Sequence, residues 1–316
     1  IAILKNCIEI LYQFYNIRSL FEEGILLFQN AIQSASFLSP FDPLIGMMTN
    51  RLGSLALRLR RNEMAFQLYS RSLAIFEPNG ASSELGLTYL GLGNFHLRSK
   101  DFSQALCYTQ QALDCFQALD ERNNVGTALF LLGLIHERLA NFPAARKYLE
   151  DALDISREVG DQRGMILRLN QLAGHDCNNG DLEIAEVRYL ESLTLSRAFK
   201  DRFQQAIILN NLASVYHPRQ EFEKEQTVLE ESLAICREIG DLDGEAIALN
   251  NLGELAIVQG EFKKAVDYSR AALDIALRLG EDWTIIAVYD ILGCAYLGLG
   301  DPETALAAPY SIVLTE

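Results

Sequence analysis

Apolar and polar positions along this chain return with a period of forty residues. Leucine stands at 52, 92, 132, 172, 212, 252 and 292, without a gap or a drift. The residue after it is always small: Gly53, Gly93, Gly133, Ala173, Ala213, Gly253 and Gly293. Twelve residues on runs a second small column, Ala65, Ala105, Ala145, Ala185, Ala265 and Ala305, broken only by Glu225. Eight further lies an apolar rail of Leu73, Leu113, Leu153, Leu193, Leu233 and Leu273. Glycine is a poor helix residue, so its persistence inside an amphipathic stretch implies close approach by a second helix. Gly-acid pairs at Gly160-Asp161, Gly180-Asp181, Gly240-Asp241, Gly260-Glu261, Gly280-Glu281 and Gly300-Asp301 punctuate the pattern. Glycine supplies a left-handed helix end, and the acid that follows favours the next helix start. Each period therefore predicts helix, short turn, helix, short turn, with helices of about 15–17 residues.

Such a piece has no core of its own and buries its apolar face only against its neighbours. The pattern predicts an all-α array of about eight helix pairs running over residues 1–316. Residues 1–39 form a degenerate first repeat, in which Gly24, Phe28, Ala31 and Ile32 repeat the second-helix pattern one residue out of register. Six full repeats follow at 40–80, 81–120, 121–160, 161–200, 201–240 and 241–280, and 281–316 is a truncated last repeat that Pro309 ends early. Repeat 201–240 departs from the others, with Pro218 at the end of its first helix and Glu225 in the small column. These changes predict a helix stop near His217 and looser packing around 174–225.

Composition narrows the function. The formal charge of -15 over 316 residues disfavours nonspecific nucleic-acid binding and attraction to anionic membranes. Cys7, Cys107, Cys115, Cys177, Cys236 and Cys294 form no CxxC pair and sit in apolar helical stretches, which fits a reduced, cytoplasmic setting. Lys5 and Glu9 interrupt the opening apolar stretch, so no signal peptide is read there, and no apolar run is long enough to span a bilayer. The helical pattern is already under way at Ile1, as expected of a piece of a longer protein.

Ala248-Leu249-Asn250-Asn251-Leu252-Gly253 followed by Gly260-Glu261-Phe262-Lys263-Lys264-Ala265, with Tyr69, Tyr108, Tyr148, Tyr189 and Tyr268 at the aromatic positions, resembles the tetratricopeptide repeat (TPR) family. The longer forty-residue variety is similar to the repeats of kinesin light chain, of Pins-type spindle adaptors and of the sensor arms of bacterial STAND regulators. The resemblance implies a right-handed α-α superhelix, a TPR solenoid, whose first helices line the inner face. It places groove-lining positions three residues before the small residue and one, four and five after it. Three before stand Asn50, Leu90, Phe130, Asn170, Asn210, Asn250 and Asp290. An asparagine ladder in three successive repeats can bind the backbone of an extended peptide, or satisfy polar contacts between helices. Asn94, one after Gly93, joins the candidates. Five after stand Arg58, Arg98 and Arg138, a strip able to bind carboxylates, to pair with this chain's own acids, or to cap the first helices. If both rows bind, the groove is cationic early and amide-rich late.

Other constellations carry less. His96 and His136 occupy a packing column, and the distance between stacked repeats argues against a shared metal. His175-Asp176-Cys177 are consecutive on a helix and point in different directions. Gly46, Gly86 and Gly126 lie near first-helix starts, where close packing between repeats accounts for them. Gly91-Leu92-Gly93 lacks the strand that a dinucleotide loop needs. The chain thus reads as a non-catalytic scaffold without a cofactor, binding a protein or peptide partner and neither nucleic acid nor membrane. The alternative is an effector-sensing or autoinhibitory arm of a larger STAND-type regulator, with another domain of the same chain as the partner. An enzyme is the remaining reading, for which no nucleophile–base pair can be placed.

Overall fold

The computed structural model describes residues 2–17, 20–35, 38–280 and 282–307. Among them the regular structure is helical. The first helices of the successive pairs are α1 (Ala2–Ile17), α3 (Pro43–Arg58), α5 (Ser83–Arg98), α7 (Arg122–Arg138), α9 (Gln162–Asn178), α11 (Arg202–Tyr216), α13 (Leu242–Val258) and α15 (Asp282–Gly298). The second helices are α2 (Phe21–Ser34), α4 (Asn62–Phe76), α6 (Phe102–Ala118), α8 (Phe142–Val159), α10 (Leu182–Ala198), α12 (Phe222–Ile239), α14 (Phe262–Leu279) and α16 (Pro302–Ala307). Pro309 lies outside the described residues. The chain divides into two compact halves, Ile1–Gly164 and Met165–Glu316.

Helix ends set the period more finely than the glycines suggest. At every twentieth residue from 60 to 300 φ is positive, between 54° and 84°. Glycine fills seven of these positions, but Arg60, Lys100, Asp120, Ala140, Lys200 and Gln220 fill the others. At most of them, though not after Gly80, the following N–H reaches back five residues to close a Schellman turn, as in Asp101 to the His96 carbonyl (2.9 Å) and Asp201 to that of Ser196 (2.9 Å). The same aspartate then opens the next helix. Asp101 accepts from the Gln104 N–H (3.2 Å), Asp201 from Gln204 (3.1 Å) and Asp241 from Gly244 (3.2 Å). Glu121, Glu221 and Glu261 make no such side-chain cap.

Within the pairs of Gly93, Gly133 and Gly253 the two small columns meet, whereas a Cβ on Gly293 would meet nothing within 4 Å. A Cβ on Gly133 would lie 2.7 Å from the Leu149 side chain and 3.4 Å from the Ala145 carbonyl; one on Gly253 would lie 3.0 Å from Ser269 Oγ. Gly46 and Gly86 correct an expectation. A Cβ on Gly46 would meet the Phe76 ring at 2.7 Å, and one on Gly86 the Phe116 ring at 2.5 Å. Both rings belong to the second helix of the same repeat, so these glycines seat an aromatic within the pair rather than between pairs.

One further column joins each first helix to its partner twelve residues on. His96 stacks on Tyr108 (centroids 5.4 Å) and His136 on Tyr148 (5.3 Å), the packing role expected of them. Burial lowers the proton affinity of both imidazoles. At the same place in the next repeat Asp176, fully buried, pairs with Arg188. Its neighbour Cys177 lies 3.4 Å from Ser214, and His175 is buried, so these three consecutive residues do not converge.

The break in repeat 201–240 is filled by charge. α11 stops at Tyr216, with His217 as its C-cap. Glu225 is buried where the other repeats carry alanine, its carboxylate 2.9 and 3.2 Å from His217 Nδ1. Arg219 donates to Glu186 (2.6 Å), which also accepts from the Tyr216 hydroxyl (3.2 Å). Burial pushes the Glu225 carboxyl up, against the opposing pull of His217.

Two predictions follow from these helix ends. Ala140→Gly should raise stability by up to about 1 kcal/mol in urea denaturation, because relief of a left-handed alanine outweighs the added freedom of the unfolded chain. A loss of about 1 kcal/mol, as for alanine to glycine inside a helix, would contradict that. Since its folded-state pKa is raised, Glu225 weighs against the fold once pH exceeds its unfolded value and ceases to do so when protonated. Glu225→Ala should therefore stabilise the protein at pH 7, with the advantage shrinking through the carboxylate range toward pH 4. A constant difference across that range would rule this account out.

Candidate binding surfaces

In the N-terminal half, α1, α3, α5 and α7 surround a cavity of about 920 Å³. Its organising residue is Arg51, which is almost fully buried. Arg51 Nε donates to Glu9 on α1 (2.8 Å), and its two terminal nitrogens donate to both oxygens of Glu84 on α5 (3.1 Å each). A further bond runs to Asn50 Oδ1 (3.0 Å), and the guanidinium lies 5.8 Å from the Tyr12 ring centre. One cation thus ties three helices together with planar, bidentate geometry. Nearby, the Tyr69 hydroxyl and Ser54 Oγ are 3.0 Å apart. Gly91 lies over the buried Tyr69 ring, where any Cβ would clash.

Asn50 is 3% exposed; its Nδ2 donates to Thr88 Oγ1 (3.0 Å) and its Oδ1 accepts from Arg51. Its amide joins α3 to α5, as the alternative of polar contacts between helices has it, and the residue also lines the cavity. Asn94, Arg58 and Arg98 line the cavity, whereas Arg138 is exposed and does not. Arg98 Nη1 donates to the Leu57 carbonyl at the end of α3 (2.9 Å), so the capping alternative holds for one of its donors.

In the C-terminal half the asparagines form a ladder between repeats. Asn211 Nδ2 donates to Asn170 Oδ1 (3.1 Å), and Asn251 Nδ2 donates to Asn210 Oδ1 (2.9 Å). The acceptors of Asn170 and Asn210 are thereby fixed by the next first helix, and their NH₂ groups are left to point elsewhere. Ile291 stands where a further asparagine would continue the series, and Asn250 Oδ1 is buried without a partner. Asp290 is exposed. Three residues before each rung is an aliphatic side chain: Leu167, Ile207 and Ile247. Leu167 and Ile247 are 44% and 42% exposed, unlike core residues, and they share a helix face with the rungs at a three-residue step. The equivalent column in the other half is Met47, Leu87 and Thr127, all lining the cavity. Sequence reading passed over this column, six before the small residue, because exposed aliphatics there look like ordinary helix packing.

The described residues hold no cluster of three or more His, Cys, Asp or Glu able to bind a metal, and no helix among them is long and apolar enough to cross a membrane.

The profile of the tetratricopeptide repeat family matches residues 44–118, 84–158, 165–238 and 244–308. The chain belongs to this family. The solved structures it resembles include a Signal Transduction ATPase with Numerous Domains (STAND) protein with a tetratricopeptide repeat sensor from Pyrococcus horikoshii. The match has 17% identity and a TM-score of 0.75, over 100% of this chain and 47% of that one. This TPR chain thus spans about half the length of that protein. A Rap protein complexed with competence and sporulation factor matches at 15% identity and TM-score 0.66, over 98% of this chain and 97% of that one. NprR in complex with its cognate peptide NprX matches at 15% identity and TM-score 0.62, over 95% and 88%. At such identities the likeness shows the TPR fold alone. Comparison with curated protein sequences finds no match.

The Arg51 hub makes a prediction about α1, whose one buried hydrophobic residue among the described side chains is Ile8. Arg51→Ala leaves two carboxylates facing one another and should cost about 3 kcal/mol, the low end for a broken buried pair because Glu9 is partly in water. Hydrogen exchange should show α1 losing protection before α3. Unchanged protection of α1 would mean that apolar contacts hold it instead.

Proposed function

We propose that this TPR chain is a non-catalytic binding scaffold whose first-helix faces take a protein or peptide partner. The observation that carries this reading is the ladder of the C-terminal half. Asn170 and Asn210 have their acceptors occupied by Asn211 and Asn251, so they offer oriented N–H donors beside an aliphatic row. That combination suits an extended peptide: donors meet backbone carbonyls, and Leu167, Ile207 and Ile247 receive apolar side chains. Asn250 continues the rung, and Asp290 closes the column with an acceptor. The Rap and NprR structures, bound to a sporulation factor and a peptide, lend support as proteins of similar fold. A cytoplasmic setting accords with the free cysteines.

A second reading is favoured by the STAND protein, in which a similar array is a sensor and of which this chain spans 47%. On that reading the same faces bind an effector or a neighbouring domain, and occupancy biases a switch elsewhere in a longer protein.

Peptides selected against the whole chain from a random display library should favour extended, apolar-rich sequences. Combined Asn170→Ala, Asn210→Ala and Asn250→Ala replacement should lower their affinity about a hundredfold while leaving the helical circular dichroism close to wild type and costing about 2 kcal/mol of stability for the two inter-repeat bonds lost. Full affinity in that variant would remove the ladder from the binding site.

A further inference from the structure

The cavity of the N-terminal half carries a charge imbalance that the ladder does not explain. Four cations line it, Lys5, Arg51, Arg58 and Arg98, against two carboxylates, Glu9 and Glu84. Arg51 takes both carboxylates for itself. Lys5, Arg58 and Arg98 are left without an ion pair among the described residues. Elsewhere on this acidic chain some surface arginines pair with acids, Arg61 with Glu22, Arg197 with Glu231 and Arg237 with Glu245, while Arg71 and Arg138 have no ion pair among the described residues; what sets Arg58 and Arg98 apart is that they line one cavity together.

The two arginines also stand together. Arg98 is bonded to the carbonyl of Leu57, the residue before Arg58. Burial first, and then the Arg58 charge, hold Arg98 below the usual arginine range, and the charge of Arg58 is felt at Tyr12 on α1 as well. The alternative to a ligand is that both simply offset the helix ends they sit on. Each helix C-terminus contributes about half a negative charge, so two ends offset only about one of the two guanidinium charges. Around this point the cavity offers Ser54 and Asn94, with the buried Tyr69 ring beneath Gly91.

We propose that this cavity is a second ligand site, in which Arg58 and Arg98 jointly grip the oxyanion of a small ligand, a carboxylate or a phosphate, while Ser54 and Asn94 meet its polar body. The volume suits a ligand of small-molecule or short-peptide size. The site is independent of the asparagine ladder, and Arg138, in the same sequence column but outside the cavity, takes no part in it.

Isothermal titration of the whole chain at low ionic strength with inorganic phosphate, citrate, and one tetrapeptide as free acid and as C-terminal amide tests this. Saturable binding is expected for at least one anion. Phosphate alone binding identifies a phosphate-bearing ligand; citrate, or the free acid over the amide, identifies a carboxylate. Arg58→Gln or Arg98→Gln should weaken that binding at least about tenfold, Arg98→Lys less, and Arg138→Gln not at all. The Asn170/Asn210/Asn250 alanine variant should bind the anion like wild type, so failure of the peptide reading leaves this one standing. Absence of saturable binding by all four probes, or equal loss in Arg138→Gln, overturns the proposal.

Discussion

Everything in this array depends on how closely the two helices of a pair approach. Gly133 can lie over the Ala145 carbonyl only because neither helix carries bulk at the crossing. A methyl group at the glycine, or a branched side chain in the alanine column, would push the backbones apart and forfeit dispersion contacts along the whole pair. Leu132 and Leu149 are then buried, although a single pair has no interior of its own. The faces of the first helices turned away from this crossing are released from packing duty. They are free to carry Arg58, Asn94 and Asn170, residues that a globular core would reject.

Much of this was legible in the sequence because it is periodic. The small columns, the helix pairs, the early stop of α11 and the stacking role of His96 and His136 all follow from position within forty residues. The remainder escaped for identifiable reasons. The turns at Arg60, Lys100, Ala140 and Gln220 are left-handed without glycine, since tertiary packing on both sides imposes the turn and overrides the local preference. Asn50 occupies the ladder column, yet its neighbour is Arg51 where the three ladder repeats carry Gln171, Asn211 and Asn251, and its amide bonds to Arg51 and Thr88 instead. The seating of the Tyr69 ring depends on Gly91, a residue whose meaning is visible only once the ring beneath it is known.

Buried charge is handled locally. Arg51, Asp176 and Glu225 are each buried in a position where other repeats carry uncharged residues. In a single cooperative core three such insertions would compound. Here each is answered within one or two helices: Arg51 by Glu9 and Glu84, Asp176 by Arg188, Glu225 by His217. A quasi-one-dimensional array confines the desolvation cost of each to its nearest neighbours.

That confinement is also why the two halves can carry different chemistry on homologous columns. The column of Arg51, Gly91 and Leu131 becomes Gln171, Asn211 and Asn251 further on. In the first setting it ties α1 in place and opens a cavity. In the second it fixes the orientation of the amides one repeat earlier. Neither change disturbs the small columns, because these residues lie on the opposite side of the helix from the crossing. Backbone spacing is held by one set of positions and ligand chemistry by another, so a sequence can vary the second freely while keeping the first. Asp101, Asp201 and Asp241 at the helix junctions belong with the first set, since each closes one helix by its N–H and opens the next by its carboxylate. The rows most able to bind are accordingly those in which residue type changes along the chain, and strict repetition marks the scaffold.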